Sequence, residues 1–266
     1  MSESTLLLVD GHSVVRRVYE AVNGGAPMIE AEKVKQASRS SLQSLRRAFD
    51  EHPSTHALVA FDAGGKNWRH ALYPEYKANR EESTPEFKAM IAPLRERVEG
   101  VLGVHTVAVP GVEADDVIGT VVRRWIESGR DPARITILSG DKDLVWLTAH
   151  RARVYDHFGA EWRGAEWIEK KFGAGIRAAQ ILDWLALNGD KVDGVPGLKG
   201  CGKVTATRWL NEFGTLDALI ERAAEVSGKI GETLRAGIED VRLSRRLVSL
   251  KTRVECGVTW GLLRRQ

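Results

Sequence analysis

Short apolar runs that each end in carboxylates constrain this chain more than any other feature. Residues 5–9 end at Asp10 and residues 55–61 at Asp62. Residues 104–109 pass through the turn Pro110-Gly111 to Glu113, Asp115 and Asp116, and residues 134–138 lead to Asp141 and Asp143. Such short runs, apolar throughout, suit strands buried on both faces. Helical patterns separate them, at 12–22, 30–49 and 114–128, with Gly24-Gly25 and Pro27 in the first turn and Gly129 closing the third helix. Residues 152–155 make a fifth strand. Alternation of this kind predicts an α/β fold, a mostly parallel sheet flanked by helices. Ligands bind open α/β sheets outside the carboxyl ends of the strands, so separate segments deliver acids to one edge.

Taken singly, each acid has an ordinary explanation. Glu113-Ala114-Asp115-Asp116 suits a helix N-terminus, where acids are favoured, and Asp141-Lys142-Asp143 suits a capping turn. Asp10 and Asp62 suit turns at strand ends, and Asp190 and Asp193 lie in a loop that opens with the turn signal Asn188-Gly189-Asp190. Jointly these explanations fail, because every parallel strand of the first half but the last ends in acid. Crowded carboxylates repel unless cations neutralise them. Hard oxygen ligands without a His/Cys cluster select Mg²⁺ or Mn²⁺ over zinc.

The net charge of +3 hides an asymmetry. The nine acids just named are a quarter of the 36 Asp and Glu, and the rest of the chain sets its 39 Lys and Arg against what remains. A basic shell around an acidic pocket suits a nucleic-acid enzyme that holds metal ions. Cys201 and Cys256 are too few for a disulfide framework or a zinc site. No apolar run approaches the roughly 18 residues of a membrane span, and Leu6-Leu7-Leu8-Val9 meets Asp10 too soon for a signal peptide. A cytoplasmic protein with no membrane partner is expected.

Two further stretches stand out. Residues 64–93 are too long for a simple connection and carry Trp68-Arg69-His70 and Tyr73-Pro74-Glu75-Tyr76-Lys77-Ala78-Asn79-Arg80. From about residue 178 the pattern turns helical. A helix at 178–187 leads into Asn188-Gly189-Asp190-Lys191-Val192-Asp193-Gly194-Val195-Pro196-Gly197, then Leu198-Lys199-Gly200-Cys201-Gly202-Lys203, then a helix at 204–212 and two or three more. The division expected is 1–177 and 178–266.

The ordered set Val9-Asp10-Gly11, Phe61-Asp62, Glu113-Ala114-Asp115-Asp116, Ser139-Gly140-Asp141-Lys142-Asp143 and Gly189–Gly197 resembles the flap endonuclease / 5′–3′ exonuclease family, which includes the N-terminal nuclease domain of bacterial DNA polymerase I and the phage 5′-nucleases. The resemblance runs from Leu6 to about Leu219. It implies a PIN-like 5′-nuclease core, a helical arch at about 64–93 and a C-terminal helical DNA-binding lobe with a helix-three-turn-helix. Asp10, Asp62, Glu113, Asp115 and Asp116 resemble the family's first metal group, and Asp141, Asp143, Asp190 and Asp193 its second. Lys77 and Arg80 match the basic element of the arch. Three apart, they share one face if the segment is helical, and the resemblance implies that they hold the scissile phosphate while Tyr76 stacks on a base. Lys199, Gly200, Gly202 and Lys203 match the element that grips duplex phosphates. The carbonyls of Gly197, Leu198 and Cys201 match a K⁺ site, with Cys201 where an aliphatic residue is more usual.

The resemblance implies a stand-alone, monomeric, structure-specific nuclease that acts on branched or 5′-flap DNA with two or more Mg²⁺ or Mn²⁺ ions, in replication or repair. Two rivals differ from it. An RNA-cutting nuclease on a related sheet typically has fewer acids and lacks both the arch and the glycine-rich element. An inactive junction-binding protein loses acids of the second group, which are all present here. Trp125, Trp146, Trp184 and Trp209 read as core. Arg16 and Arg17 suit either DNA contact or a solvated helix face.

Overall fold

The computed structural model describes residues 4–22 and 28–265; the turn expected at Gly24-Gly25 and Pro27 lies outside them. Six strands form one sheet: β1 (Leu6–Asp10), β2 (His56–Asp62), β3 (Thr106–Val109), β4 (Ile135–Leu138), β5 (Arg153–Asp156) and β6 (Glu161–Trp162). Their order is β3-β2-β1-β4-β5-β6, parallel except where β6 runs back along β5. The chain builds outward from β1 through β2 to β3, then returns to place β4 on the other flank of β1. The strand order therefore reverses between β1 and β4, and the crevice at such a switch point is where open sheets bind ligands.

Alternate residues of β1 face opposite sides of the sheet. Leu7 and Val9 join one core with α1 (Gly11–Ala21), α2 (Glu30–Glu51) and α4 (Pro85–Leu102), through Val15, Leu45, Phe49, Phe87 and Leu94. Leu6 and Leu8 join the other, with Ile118, Val121 and Trp125 of α5 (Ala114–Glu127). That second core continues without a break into the helical part of the chain, through Trp184 of α7 (Ile181–Asn188), Trp209 of α8 (Lys203–Phe213) and Leu247 of α11 (Ile238–Val248). The chain end comes back to the sheet: after α12 (Trp260–Leu263), Arg264 bridges to His56, and the Arg265 N–H donates to the Thr55 carbonyl at 2.9 Å.

Gly11 shows how closely α1 must approach β2. A Cβ there would lie 2.6 Å from Val59 Cγ1 and 2.7 Å from Phe61 Cζ, so only glycine lets the helix start directly after Asp10.

The strands and long helices follow the expected pattern, with ends shifted by a residue or two. Among the additional elements are α4, α6 (Ala165–Phe172) and the short β6. Among the described residues four α-helices follow α8 rather than two or three: α9 (Leu216–Glu221), α10 (Gly228–Ala236), α11 and α12. The stretch 64–93, expected as a helical arch, is built from several pieces. It contains the short α3 (Trp68–Leu72), a run of turns at 74–79, and the first half of α4. No helix among the described residues is long and apolar enough to cross a membrane.

Candidate metal centre

The carboxyl ends of β1 to β4 carry the acids to the crevice. Asp10 caps α1, accepting from the Ser13 N–H at 3.0 Å and from Ser139 Oγ at 2.9 Å. Asp62 accepts the Ala114 N–H at 2.8 Å and so ties β2 to the start of α5. Asp141 accepts the Asp143 N–H at 2.9 Å. Burial, reinforced by Asp62 and Asp141, pushes the Asp10 carboxyl up to about 7. Asp115 is raised well above the carboxylate range, by burial first and then by Asp141, Asp10, Glu113 and Asp62. These mutual effects place four separate segments of chain in one electrostatic cluster.

A second group forms beside it. Asp143, Asp190 and Asp193 bring carboxylate oxygens within 4.8 Å of one another. Asp190 and Asp193 sit on the loop after α7, pinched by paired hydrogen bonds between Asp190 and Val195. Gly197 lets the loop close: its φ is +66°, and a Cβ there would meet the Gly189 nitrogen at 2.4 Å. Asp143 is pushed up to about 8, by burial and then by Asp141, with Lys142 opposing. Its Oδ1 is buried without a hydrogen-bond partner.

Basic side chains reach the acids from the turn at 74–80. Lys77 Nζ lies 2.6 Å from Glu113 Oε1 and 3.7 Å from Asp193 Oδ2, and Arg80 pairs with Asp193. The segment is a turn rather than a helix, with Lys77 at φ +56°, so the two side chains do not share a helical face. The two cations converge through the turn docking on the acid loop. The Lys77 N–H donates to the Asp193 carbonyl at 2.9 Å, and Asn79 Nδ2 to the Lys191 carbonyl at 2.6 Å. Tyr76 is a correction: it is 3% exposed, and its hydroxyl donates to Glu113 at 3.1 Å and Asp193 at 3.3 Å. Its ring offers no face to a base.

Asp116 is a second correction. It is fully buried and takes five donors: both Arg69 terminal nitrogens, Trp68 Nε1 and the N–H groups of Glu113 and Lys251, at 2.8–3.1 Å. A carboxylate has about four lone-pair sites, so none remains for a cation. Arg69 itself escaped the sequence reading. Its guanidinium donates to Asp116, to Glu113 at 3.0 Å, and to the Leu247 and Ser249 carbonyls at 2.7 and 3.0 Å. Burial works against ionisation of Glu113, but Lys77 and Arg69 outweigh it and hold the carboxyl below the usual range. His12 was also missed. It lines a cleft of about 650 Å³ with Asp62, Asn67, Lys77, Arg80 and Glu113, and its Nδ1 is buried without a partner.

The glycine-rich loop follows the acid loop directly and leads into α8. Gly197 donates its N–H to Ser244 Oγ at 3.0 Å, and the Leu198 carbonyl accepts from the Cys201 N–H at 2.9 Å. Gly200 has φ +78°, and Gly202 precedes the first turn of α8. Cys201 is buried, which pushes its thiol up to about 12. Lys199 is exposed. Lys203 donates to the Lys170 and Lys171 carbonyls at 3.1 and 2.7 Å, at the C-terminal end of α6.

Residues 5–173 match the family model of the 5′–3′ exonuclease N-terminal resolvase-like domain, and residues 176–266 match that of the C-terminal SAM fold. The thermostable DNA polymerase I of Thermus thermophilus is 35% identical over 261 residues, covering 96% of this chain and 30% of the polymerase. DNA polymerase I of Mycobacterium bovis is 32% identical over 269 residues, covering 100% of this chain and 29% of the polymerase. The chain thus spans under a third of the length of these relatives. Among solved structures, the bacteriophage T5 flap endonuclease in a pseudo-enzyme–product complex with DNA and metal ions superposes with a TM-score of 0.73 at 22% identity, covering 93% of this chain and 89% of that one. The catalytic core of Rad2 in complex with DNA substrate superposes with a TM-score of 0.55 at 18% identity, covering 90% and 73%. At these identities the structural likeness is one of fold. Matched across residues 5–173 and 176–266 by the two family models, the chain belongs to the 5′–3′ exonuclease family.

Proposed function

We propose that the chain is a structure-specific 5′-nuclease, a flap endonuclease and 5′–3′ exonuclease that hydrolyses phosphodiesters of branched or 5′-flap DNA in replication or repair. The observation that carries this is the convergence of two carboxylate groups at the sheet's switch point, beside Lys77 and Arg80. The donor set fits hard divalent cations, Mg²⁺ or Mn²⁺. It is all oxygen, and Asp143 Oδ1 is buried with no hydrogen bond, its nearest cation being the Lys142 ammonium at 3.5 Å. Asp10, Asp62, Asp115 and Asp141 would hold one ion and Asp143, Asp190 and Asp193 another, with Glu113 at the border. When bound, such ions supply Lewis acidity at the phosphate and acidify the attacking water.

The chain's own groups do the rest. Lys77 and Arg80 exchange their carboxylate partners for the scissile phosphate and offset charge in the transition state. Tyr76 and Arg69 hold Glu113 and the basic turn in place. Lys199, Gly200, Gly202 and Lys203 meet duplex phosphates, with K⁺ held by the carbonyls of Gly197, Leu198 and Cys201. Contacts to phosphates carry no sequence information, so recognition is of branch shape and a 5′ end.

The test is cleavage of a 5′-labelled DNA flap with Mg²⁺, with Mn²⁺ and with chelator, beside an Asp190→Asn, Asp193→Asn double variant. Metal-dependent product near the junction, lost in the double variant, is the expected result. Tight binding without product under either metal would replace this reading with that of an inactive junction-binding protein.

A further inference from the structure

The two carboxylate groups differ in what already neutralises them. In the first, Asp10, Asp62 and Asp141 accept hydrogen bonds only from neutral donors among the described residues: the N–H groups of Ser13, Ala114 and Asp143, and Ser139 Oγ. In the second, cations of the chain occupy the acids. Lys142 Nζ lies 2.6 Å from Asp190 Oδ2 and 3.5 Å from Asp143 Oδ1, while Arg80 and Lys77 take Asp193. Lys142 stands between Asp141 and Asp143 in the sequence, so its backbone cannot leave the cluster. Only rotation of its side chain, 25% exposed, withdraws the ammonium. Three carboxylates within 4.8 Å of one another would repel strongly without such a partner.

We propose that Lys142 is an internal counter-ion at the second cation position: its ammonium holds Asp143 and Asp190 together in the metal-free protein and competes with an incoming divalent cation for Asp190. This rests on reading Asp143, Asp190 and Asp193 as metal ligands. A cation arriving at the second group meets an ammonium within 3.5 Å of two of its carboxylates, whereas among the described residues Lys77 and Arg69 pair with the first group only at its border, on Glu113, and so the two positions fill in order. The first group binds tightly, and the second only when Lys142 swings away, which DNA phosphates beside the site favour by offering the ammonium another anion.

The test is Mn²⁺ binding to DNA-free protein, followed by the loss of the free-ion electron paramagnetic resonance signal. The protein should show one tight and one weaker class of site. Lys142→Met should tighten the weaker class by at least about tenfold, the scale expected on removing a like charge a few ångströms away. Lys142→Arg, which keeps the charge, should leave it weak. Asp190→Asn in the otherwise unchanged chain should abolish the weaker class. If Asp190→Asn removes that class and Lys142→Met binds like the parent, the counter-ion proposal alone is overturned. If Asp190→Asn leaves both classes intact, the metal reading of this group falls, and the proposal with it. If Lys142→Met unfolds in chelator, Mn²⁺ should restore its circular dichroism spectrum; a chain that stays unfolded in Mn²⁺ would equally overturn the proposal.

Discussion

Arg69 is the residue on which most of the site's geometry depends. It lies 2% exposed, and every N–H of its guanidinium fork meets an acceptor drawn from Glu113, Asp116, Leu247 and Ser249. Removing one partner of a buried ionic network strands the other charge, at a cost of about 3–5 kcal/mol. Arg69→Met should therefore lower stability by that order in urea denaturation. Arg69→Lys should recover little, because an ammonium cannot reproduce the planar fork; full recovery by lysine would show that charge alone matters. The acids were legible in sequence because the chemistry demands carboxylates and the fold demands that they follow strands. Arg69 was not, because two of its acceptors are carbonyls about 180 residues further along the chain. Tyr76 misled for a related reason: an aromatic among basic residues has the same sequence signature whether it meets a base or, as here, buries its ring and gives its hydroxyl to two carboxylates.

Elements place these residues by docking on one another, and that docking is what sequence periodicity does not report. The turn at 74–80 lies on the loop 190–195. Gly194, at φ +69°, leaves room for the Glu75 carbonyl, which a Cβ would approach to 2.9 Å. Gly194→Ala should separate turn from loop and cost more than about 1 kcal/mol. Turnover on a flap should fall more than flap affinity does, because Lys77 and Arg80 lose their aim while the duplex grip is untouched. An equal loss of both would place the turn in binding rather than in chemistry. At the start of α8 the two lysines should separate. Lys199→Ala should reduce the slope of log affinity against log salt by about one. Lys203→Ala should also lower the melting temperature, because its ammonium caps α6 through the Lys170 and Lys171 carbonyls. A Lys203 variant with unchanged melting would assign that lysine to DNA alone. The long periodic helices and the parallel strands were legible. α4 was hidden because Pro93 lies inside it and reads as a breaker, although Thr84 caps its start and Pro85 occupies its first turn.

Over the whole molecule, the acid cluster opposes folding unless cations are present, and pH exposes that opposition. Asp10 and Asp143 are pushed up to about 7 and about 8, against an ordinary value of 3.8. The folded state therefore holds protons that the unfolded state has already lost. These groups contribute most below the unfolded value, and the contribution is lost as pH rises toward 7 and 8. Five buried or half-buried histidines act in the opposite sense. His12, His52, His56, His70 and His157 are held below 6.5, chiefly by burial, so their contribution is complete above 6.5 and lost as pH falls. Between pH 6.5 and 8 the carboxylates are left as the main titrating groups. In chelator, stability should fall across this window by roughly 2 kcal/mol, because each proton bound only by the folded state costs about 1.4 kcal/mol for every pH step of one. Divalent cations bind the deprotonated acids, so excess Mg²⁺ should raise the melting temperature more at pH 8 than at pH 6.5. Calorimetry at the two pH values, with and without Mg²⁺, measures both effects. The Asp10→Asn, Asp143→Asn double variant should reduce the fall in chelator, because it removes two of the raised carboxylates and leaves Asp115. A parent protein equally stable at both pH values in chelator, with the same Mg²⁺ shift at each, would mean that the acids do not share one field. The crevice at the switch point would then be a set of separate carboxylates rather than a metal centre.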